Sequence, residues 1–299
     1  MYKDSGWVVF LCLAGAMALW ASAFIAIKVA LEGMSPFLLI FLRLVLGSLF
    51  FLAFRRYGSN TSLAAKDRRL LLLMSLFEPC LYFLFETKAL VYTTASQAGV
   101  IFAFLPVLIL IFSYLMYREK PTAAQVLGGV LAAAGVVILC LSGTPSGDAS
   151  APALGNFLEL LAMASAAVYT VLLKRLSGSY SAFFLAAAQS FTGAIFFLPF
   201  AAYEFSNEAS ISLTSVIAVL YLGIVVTAGA YTLFNYGISK VSVAQGALYF
   251  NLVPLFTLMF SMMFLDEIIS SAQIASMALV IIGVLIGLTR TRQKTVEMA

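Results

Sequence analysis

Glu78, Tyr82 and Glu86 are spaced i, i+4, i+8, which on an α-helix places two carboxyls and a phenol on one face. All three stand inside a long apolar run, and Pro79 follows the first glutamate. An ionisable side chain is costly to keep in such a run, so it marks a functional site by default. A carboxylate there can hold the cationic group of a solute, or it can take up and release a proton. A structural hydrogen bond to a neighbouring helix is the third reading of Glu78. Lys28, Arg43 and Lys88 are the other ionisable candidates, all within the first three apolar runs. The second half of the chain is expected to answer with the neutral Gln189, Asn235 and Asn251. Lys28 and Lys88 lie near the ends of their runs, where long side chains reach the surface. Arg43 and Glu86 fall at similar depth and are expected to pair, either as structure or, if the pair opens during a working cycle, as an outer gate. Trp20, Phe24, Phe102, Phe104, Tyr169 and Tyr231 are aromatics in mid-run. With 26 Phe and 13 Tyr in the chain most aromatic rings must be packing, but a deep Tyr or Trp needs a polar partner, which a wet cavity supplies.

Other chemistries are excluded by composition. There is no histidine, which removes Ser-His-Asp catalysis, His metal ligands and His proton relays. Cys12, Cys80 and Cys140 lie in separate runs without metal or redox spacing. No Gly-x-x-x-x-Gly-Lys-Ser/Thr loop is present, so this chain does not hydrolyse ATP. We expect no enzyme activity, no cofactor and no metal.

The elements that must position these residues are membrane helices. Of 299 residues 63% are hydrophobic and 10% charged, a surface no soluble protein could show to water. The apolar runs are continuous and about twenty residues long, which fits helices and not the alternating strands of a barrel. Ten spans are expected, over residues 6–31, 36–54, 70–91, 96–117, 123–141, 154–176, 182–203, 211–236, 243–265 and 272–288. Residues 1–23 could pass for a signal peptide, but the apolar run continues to Leu31 and its removal would delete the first span.

Net charge is +4, and placing the charges turns it from a nucleic-acid signal into a membrane one. Lys3, Arg55, Arg56, Lys66, Arg68, Arg69, Arg118, Lys120, Lys174, Arg175, Lys240, Arg290, Arg292 and Lys294 fall in every second connection. The alternate connections hold Glu32, Asp148, Glu204, Glu208, Asp266 and Glu267. By the positive-inside rule both termini are cytoplasmic, in a bacterial-type inner membrane, and no nucleic-acid partner is expected.

The chain repeats itself. Gln97, Pro106, Phe112, Ser113, Glu119, Gln125 and Gly135 recur as Gln245, Pro254, Phe260, Ser261, Glu267, Gln273 and Gly283, each 148 positions on. Upstream, Lys28, Arg43, Gly47 and Phe50 align with Lys174, Gln189, Gly193 and Phe196, and Tyr82, Phe85 and Glu86 with Tyr231, Phe234 and Asn235. The expected division is 1–145, 151–292 and a cytoplasmic tail 293–299. Five spans per half put the second half in the membrane upside down, the plan of carriers that rock one repeat against the other. Thr122 with Gln125, and Ser270 with Gln273, read as capping boxes. Glu119 and Glu267 are expected at the N-termini of the helices that follow them. Gly283 and Gly287 form a Gly-x-x-x-Gly face for close packing within the molecule or between protomers. Pro106 and Pro254 are expected to bend their helices in mid-span.

Leu19-Trp20-Ala21-Ser22-Ala23-Phe24-Ile25-Ala26-Ile27-Lys28, Phe41-Leu42-Arg43-Leu44, Tyr92–Gln97, and Pro106 leading to Arg118-Glu119 and Gln125 carry a family resemblance over the whole chain. It resembles the EamA-type members of the drug/metabolite transporter superfamily. The resemblance implies an all-α polytopic protein of ten transmembrane helices in two inverted five-helix repeats. It also implies a central cavity lined by helices 1, 3, 4, 6, 8 and 9, and export or exchange of small metabolites. By position, Trp20, Ser22, Phe24, Glu78, Tyr82, Phe104, Tyr169, Tyr231 and Asn251 would face that cavity. Carboxylates at Glu78 and Glu86 depart from the mostly aromatic, neutral cavities of such proteins and favour a zwitterionic or cationic solute. Relatives that move phosphorylated sugars need a basic cavity, whereas the cations here are mainly Lys28, Arg43 and Lys88. The expected partners are a small-molecule substrate, membrane lipid and protons, in a monomer or a homodimer. An uncoupled facilitator and a lipid flippase are the alternatives.

Overall fold

The computed structural model describes residues 6–57, 63–118, 122–142, 149–205, 211–241, 246 and 249–296. Helices occupy all ten expected positions. We number them α1 (Gly6–Leu31), α2 (Pro36–Ala53), α3 (Arg68–Ser75, Leu76–Leu81 and Tyr82–Tyr92), α4 (Ala95–Phe102 and Leu105–Tyr117) and α5 (Ala123–Ser142). The second set is α6 (Pro152–Leu176), α7 (Ala182–Phe205), α8 (Leu213–Leu220, Tyr221–Ala230 and Tyr231–Lys240), α9 (Leu252–Phe264) and α10 (Ser271–Val296). Six are long and apolar enough to cross a membrane, or seven when the two arms of α4 are taken as one span bent by 41°. Shorter apolar stretches, Ala123–Leu139, Leu252–Phe264 and Ser271–Gly283, fill the remaining three positions. Glu119, Lys120, Asp148, Glu208, Lys3 and Gln245 lie outside the described residues, as does the start expected for the ninth span.

Helices are broken at matching places in the two halves. In α3 the Leu76–Leu81 turn is π-helical, and Glu78 leaves helical geometry altogether at φ −145°, ψ 116°. The corresponding stretch of α8, Tyr221–Ala230, is also π-helical. The bent α4 is interrupted at Ala103 and Phe104, and α9 opens after a turn at Phe250 and Asn251. Pro106 and Pro254 therefore sit in the first turn of a helical arm, where the missing N–H is one no helical carbonyl would have accepted. Pro106 thus stands beside the 41° bend of α4, as its mid-span position leads one to expect, and Pro254 beside the turn that opens α9.

Two glycines let these breaks be packed. A Cβ on Gly193 of α7 would lie 2.5 Å from Pro79 Cγ, and one on Gly47 of α2 would lie 2.9 Å from Thr227 Cγ2 in the break of α8. The pairing of helices follows the same correspondence: α3 lies on α6 as α8 lies on α1, and α4 lies on α6 as α9 lies on α1. The α2–α7 and α5–α10 pairs join each helix to its own repeat counterpart.

Gly283 is used inside the molecule. A Cβ there would meet Gly128 O at 2.5 Å and Ala132 N at 2.7 Å, both backbone atoms of α5 that cannot turn aside. Gly283→Val should therefore lower stability by about 1–3 kcal/mol. A detergent thermal melt would show it against Gly178→Ala, whose nearest neighbour lies at 3.8 Å. Equal melting midpoints in the two variants would refute close α5–α10 packing.

Both capping boxes form. Thr122 N donates to Gln125 Oε1 at 2.7 Å and Gln125 N to Thr122 Oγ1 at 3.3 Å. Ser270 N donates to Gln273 Oε1 at 2.7 Å and Gln273 N to Ser270 Oγ at 3.2 Å. Glu267 does meet a helix N-terminus, but that of α4 and not of α10: it accepts from Ala95 N at 2.9 Å and Ser96 N at 3.0 Å. Glu204 likewise accepts from Phe37 N at 2.6 Å and Leu38 N at 3.2 Å at the start of α2. Each of these carboxylates sits at the end of a second-half helix and neutralises the dipole of a first-half one. They tie the halves together at the end of the bundle that carries Glu32, called the acidic end below.

Candidate functional site

The break in α3 decides where Glu78 goes. An extended residue followed by proline cannot close the helical hydrogen bond of the preceding turn, so a backbone carbonyl is released into the interior. Gln189 of α7 takes it up, its Nε2 donating to Glu78 O at 3.3 Å. Gln189 Oε1 accepts from Asn235 Nδ2 at 3.3 Å, and Asn235 Oδ1 accepts from Tyr169 Oη at 3.0 Å. The Glu78 side chain turns to the centre, where Tyr231 Oη donates to its Oε1 at 2.8 Å. Thus α3, α6, α7 and α8 hold one glutamate through a connected set of side chains, nearly all of it buried.

The other half of the repeat pair does the same with the second carboxyl. Tyr82 Oη donates to Glu86 Oε1 at 2.5 Å. Tyr82 and Tyr231 occupy corresponding positions, and each bonds a glutamate of α3. Arg43 enters from α2. Its Nε donates to Thr227 Oγ1 at 3.2 Å, its guanidinium lies 4.0 Å over the Phe83 ring, and its Nη1 has no hydrogen-bond partner among the described residues. The expected Arg43–Glu86 clasp is not what holds Arg43: the two are at matching depth and interact electrostatically, but the guanidinium is turned onto Thr227 and Phe83. Depth along a helix was readable from the sequence, and rotation about it was not.

These groups wall a central cavity with Trp20, Ala23, Phe83, Phe102, Leu105, Ala166, Tyr169, Thr170 and Phe250. Trp20 packs against Phe234 at 4.7 Å, Tyr231 at 6.1 Å and Phe250 at 6.2 Å between ring centres. The free space is about 20 Å³, room for a water molecule and not for an organic solute. A wider groove of about 800 Å³ opens at the acidic end beside Lys28, Glu32, Asp266 and Glu267, and shares no lining residue with the cavity.

Of the residues expected at the cavity, Trp20, Glu78, Tyr82, Tyr169 and Tyr231 line it, as do Arg43 and Glu86. Ser22, Phe24, Phe104 and Asn251 do not. Ser22 is half a turn of helix away from Trp20 and hydrogen-bonds Tyr221 Oη at 2.6 Å. Phe24 is capped edge-on by Phe102 at 6.1 Å. Phe104 is buried at the break of α4, and Asn251 belongs to the turn before α9. Lys88 lies over the Phe37 ring at 4.6 Å, turned away from the centre.

Sequence reasoning missed Phe83, Thr170 and Phe250. Phe250 was findable, since it is the repeat counterpart of Phe102 and the two rings meet at 5.9 Å. It also missed Glu159 of α6, which is fully buried and whose two carboxylate oxygens have no hydrogen-bond partner among the described residues. The rule that singled out Glu78 applies to it unchanged, and it corrects the expectation that buried charge is confined to the first three spans.

Among known proteins, the model of the EamA-like transporter family matches residues 6–141 and again 153–289. An uncharacterized transporter of Archaeoglobus fulgidus is 31% identical over 86% of this chain and 89% of its own length. The uncharacterized transporter YetK of Bacillus subtilis is 30% identical over 95% of this chain and 88% of its own. A probable terminal-alkyne amino-acid exporter of Streptantibioticus cattleyicolor is 25% identical over 91% and 90%. One solved protein structure superposes with a TM-score of 0.68 over 94% of this chain and 98% of its own, at 20% identity, a likeness of fold alone. With the family matched once in each half, the chain is an integral membrane protein belonging to the EamA-like transporter family.

Proposed function

We propose that this protein is a secondary transporter that exports small zwitterions, amino acids foremost, by alternating access of two inverted repeats around the central cavity. The observation that carries the reading is the placement of Glu78: a carboxyl on a broken helix, facing a guanidinium across an aromatic-walled space. A zwitterion needs that combination. Its ammonium meets Glu78, its carboxylate meets the free Nη1 edge of Arg43, and its side chain lies among Trp20, Phe83, Phe102 and Phe250. Broken helices at matched positions of two repeats are how carriers of this kind build a site in mid-membrane. The name of the amino-acid exporter relative supports the same substrate class and direction.

In the described state the cavity is too small for such a solute, so binding requires the aromatic wall to part. The Glu204 and Glu267 caps on α2 and α4 hold the halves at the acidic end, and rocking about them would open the opposite end. By the positive-inside rule that opposite end is cytoplasmic, in an inner membrane, and a single chain carries a whole site. Proton coupling is assigned to Glu78.

The test is uptake of a panel of labelled amino acids into proteoliposomes, with and without an imposed pH gradient. Accumulation that follows the gradient for one or more amino acids is expected. Transport that ignores the gradient would make the protein a facilitator, and movement of labelled lipid without amino-acid transport would replace this reading with a flippase.

A further inference from the structure

Arg43, Glu86 and Glu159 lie in one layer, each about two turns from the acidic end of its helix, or ~10 Å of helical rise. The layer thus holds two carboxyls for one guanidinium, with Glu78 a further carboxyl towards the centre. Glu159 is the odd member. Glu78 and Glu86 are each bonded by a tyrosine, whereas neither oxygen of Glu159 has a donor among the described residues, although the residue has no exposed surface. An ionised carboxylate without a donor in an apolar interior costs several kcal/mol, and the neutral acid costs far less.

Among the described residues the surroundings of Glu159 offer no cation to balance it. α6 packs against α3, α4, α5 and the Tyr231–Lys240 arm of α8. The groups on these helices that act electrostatically on Glu159 are Glu86 and Tyr82, neither of them a cation. Arg68, Arg69 and Lys240 are exposed at the basic end, Lys88 is turned onto Phe37, and Glu78 is held by Tyr231. One turn nearer the acidic end, Asn156 is already engaged with Gln97 at 3.0 Å and Thr93 at 2.7 Å. A metal cation is disfavoured as well, because among the described residues no three His, Cys, Asp or Glu side chains converge as a ligand group.

We propose that Glu159 is a proton-binding site separate from the substrate cavity, and that the Glu159 proton is released when Glu86 loses its negative charge or moves away. Two like carboxyls in one apolar layer cannot both ionise cheaply, so the state of one is set by the other. Through Tyr82 and Glu86 the site lies in line with the cavity, and it faces the acidic half of the membrane. Its role in transport rests on the proposed function; its occupancy by a proton does not.

The test therefore has a readout that needs no substrate. Infrared difference spectra of the reconstituted protein, taken as pH is stepped, report the C=O stretch of a buried protonated carboxyl. We expect such a band in wild type, its loss in Glu159→Gln, its retention in Glu78→Gln, and a displaced titration in Glu86→Gln. Glu159→Asp, which keeps a carboxyl, should keep a shifted band and serves if the Gln variant fails to fold. In proteoliposomes Glu159→Gln should lose pH-driven accumulation and keep solute exchange at equal pH. A spectrum identical in wild type and Glu159→Gln would overturn the site, and accumulation driven by a sodium gradient in its place would overturn its role in transport. Failure of every solute to move, with the band present and lost in Glu159→Gln, would refute the transport reading and leave the proton site standing.

Discussion

Glu78→Gln should abolish gradient-driven accumulation while leaving downhill exchange in place at weakened affinity, because the glutamine carbonyl can still accept from a solute ammonium. Glutamine has the size and shape of the glutamate, and its carbonyl oxygen can still accept from Tyr231 Oη, so the polar set through Gln189, Asn235 and Tyr169 should survive. What disappears is the ability to change charge. Placing a charged carboxylate at mid-membrane costs roughly 2.5–3.5 kcal/mol, and each 1.4 kcal/mol is a factor of ten, so the coupling lost amounts to about 10²-fold. The check is paired: accumulation under a pH gradient, and counterflow of labelled against unlabelled solute with no gradient. A variant that still accumulates would return Glu78 to a structural role. One that loses counterflow as well would make the ammonium contact, and not coupling, the work of Glu78. Tyr231→Phe sharpens the distinction, because it removes the donor and keeps the carboxyl; coupling should persist in it with altered pH dependence.

The architecture was legible because bilayer physics leaves few choices. Run lengths gave the helices, and polar residues recurring at one offset gave the repeat. The central residues were partly legible for the same reason: Glu78, Tyr82 and Glu86 stood out as polar groups in an apolar run, and all three line the cavity. The argument that grouped them was incomplete, however. It assumed α-helical spacing throughout, whereas a π-helical turn and an extended Glu78 intervene. Pro79 hinted at the break, but only the pocket made by Gly193 on α7 shows how it is accommodated.

What stayed hidden depends on rotation and on partners distant in sequence. Glu267 was expected at the N-terminus of the helix that follows it, yet the helix it caps is α4, brought to it by tertiary packing. Ser22 shares a helix with Trp20 but points the other way. Glu159, by contrast, needed no structure to be found, only the same rule applied to the sixth span. Its significance did need one, since a carboxyl without a donor is a property of surroundings.

Arg43→Gln should be the most destabilising single substitution at the cavity. The guanidinium is almost fully buried, and among the described residues it is the one cation that lines the cavity with Glu78 and Glu86. Taking away one member of a buried ionic group leaves the rest uncompensated, at a cost of about 3–5 kcal/mol. The substitution also removes the cover over Phe83 and the donor to Thr227 in the break of α8. Arg43→Lys should recover only part of the loss, because an ammonium cannot lie flat on Phe83 while also reaching Thr227. The decisive comparison is a double-mutant cycle. If Arg43 chiefly balances Glu86, then Arg43→Gln with Glu86→Gln should melt well above Arg43→Gln alone, the pair being far from additive. If the double variant is as unstable as the sum of its parts, Arg43 acts through Thr227 and Phe83 as a packing residue, and the carboxyls must be balanced by protons alone. Solute binding separates the remaining possibility: a double variant that regains stability but binds no zwitterion places the substrate carboxylate on Arg43, because stability and recognition then depend on different edges of one guanidinium.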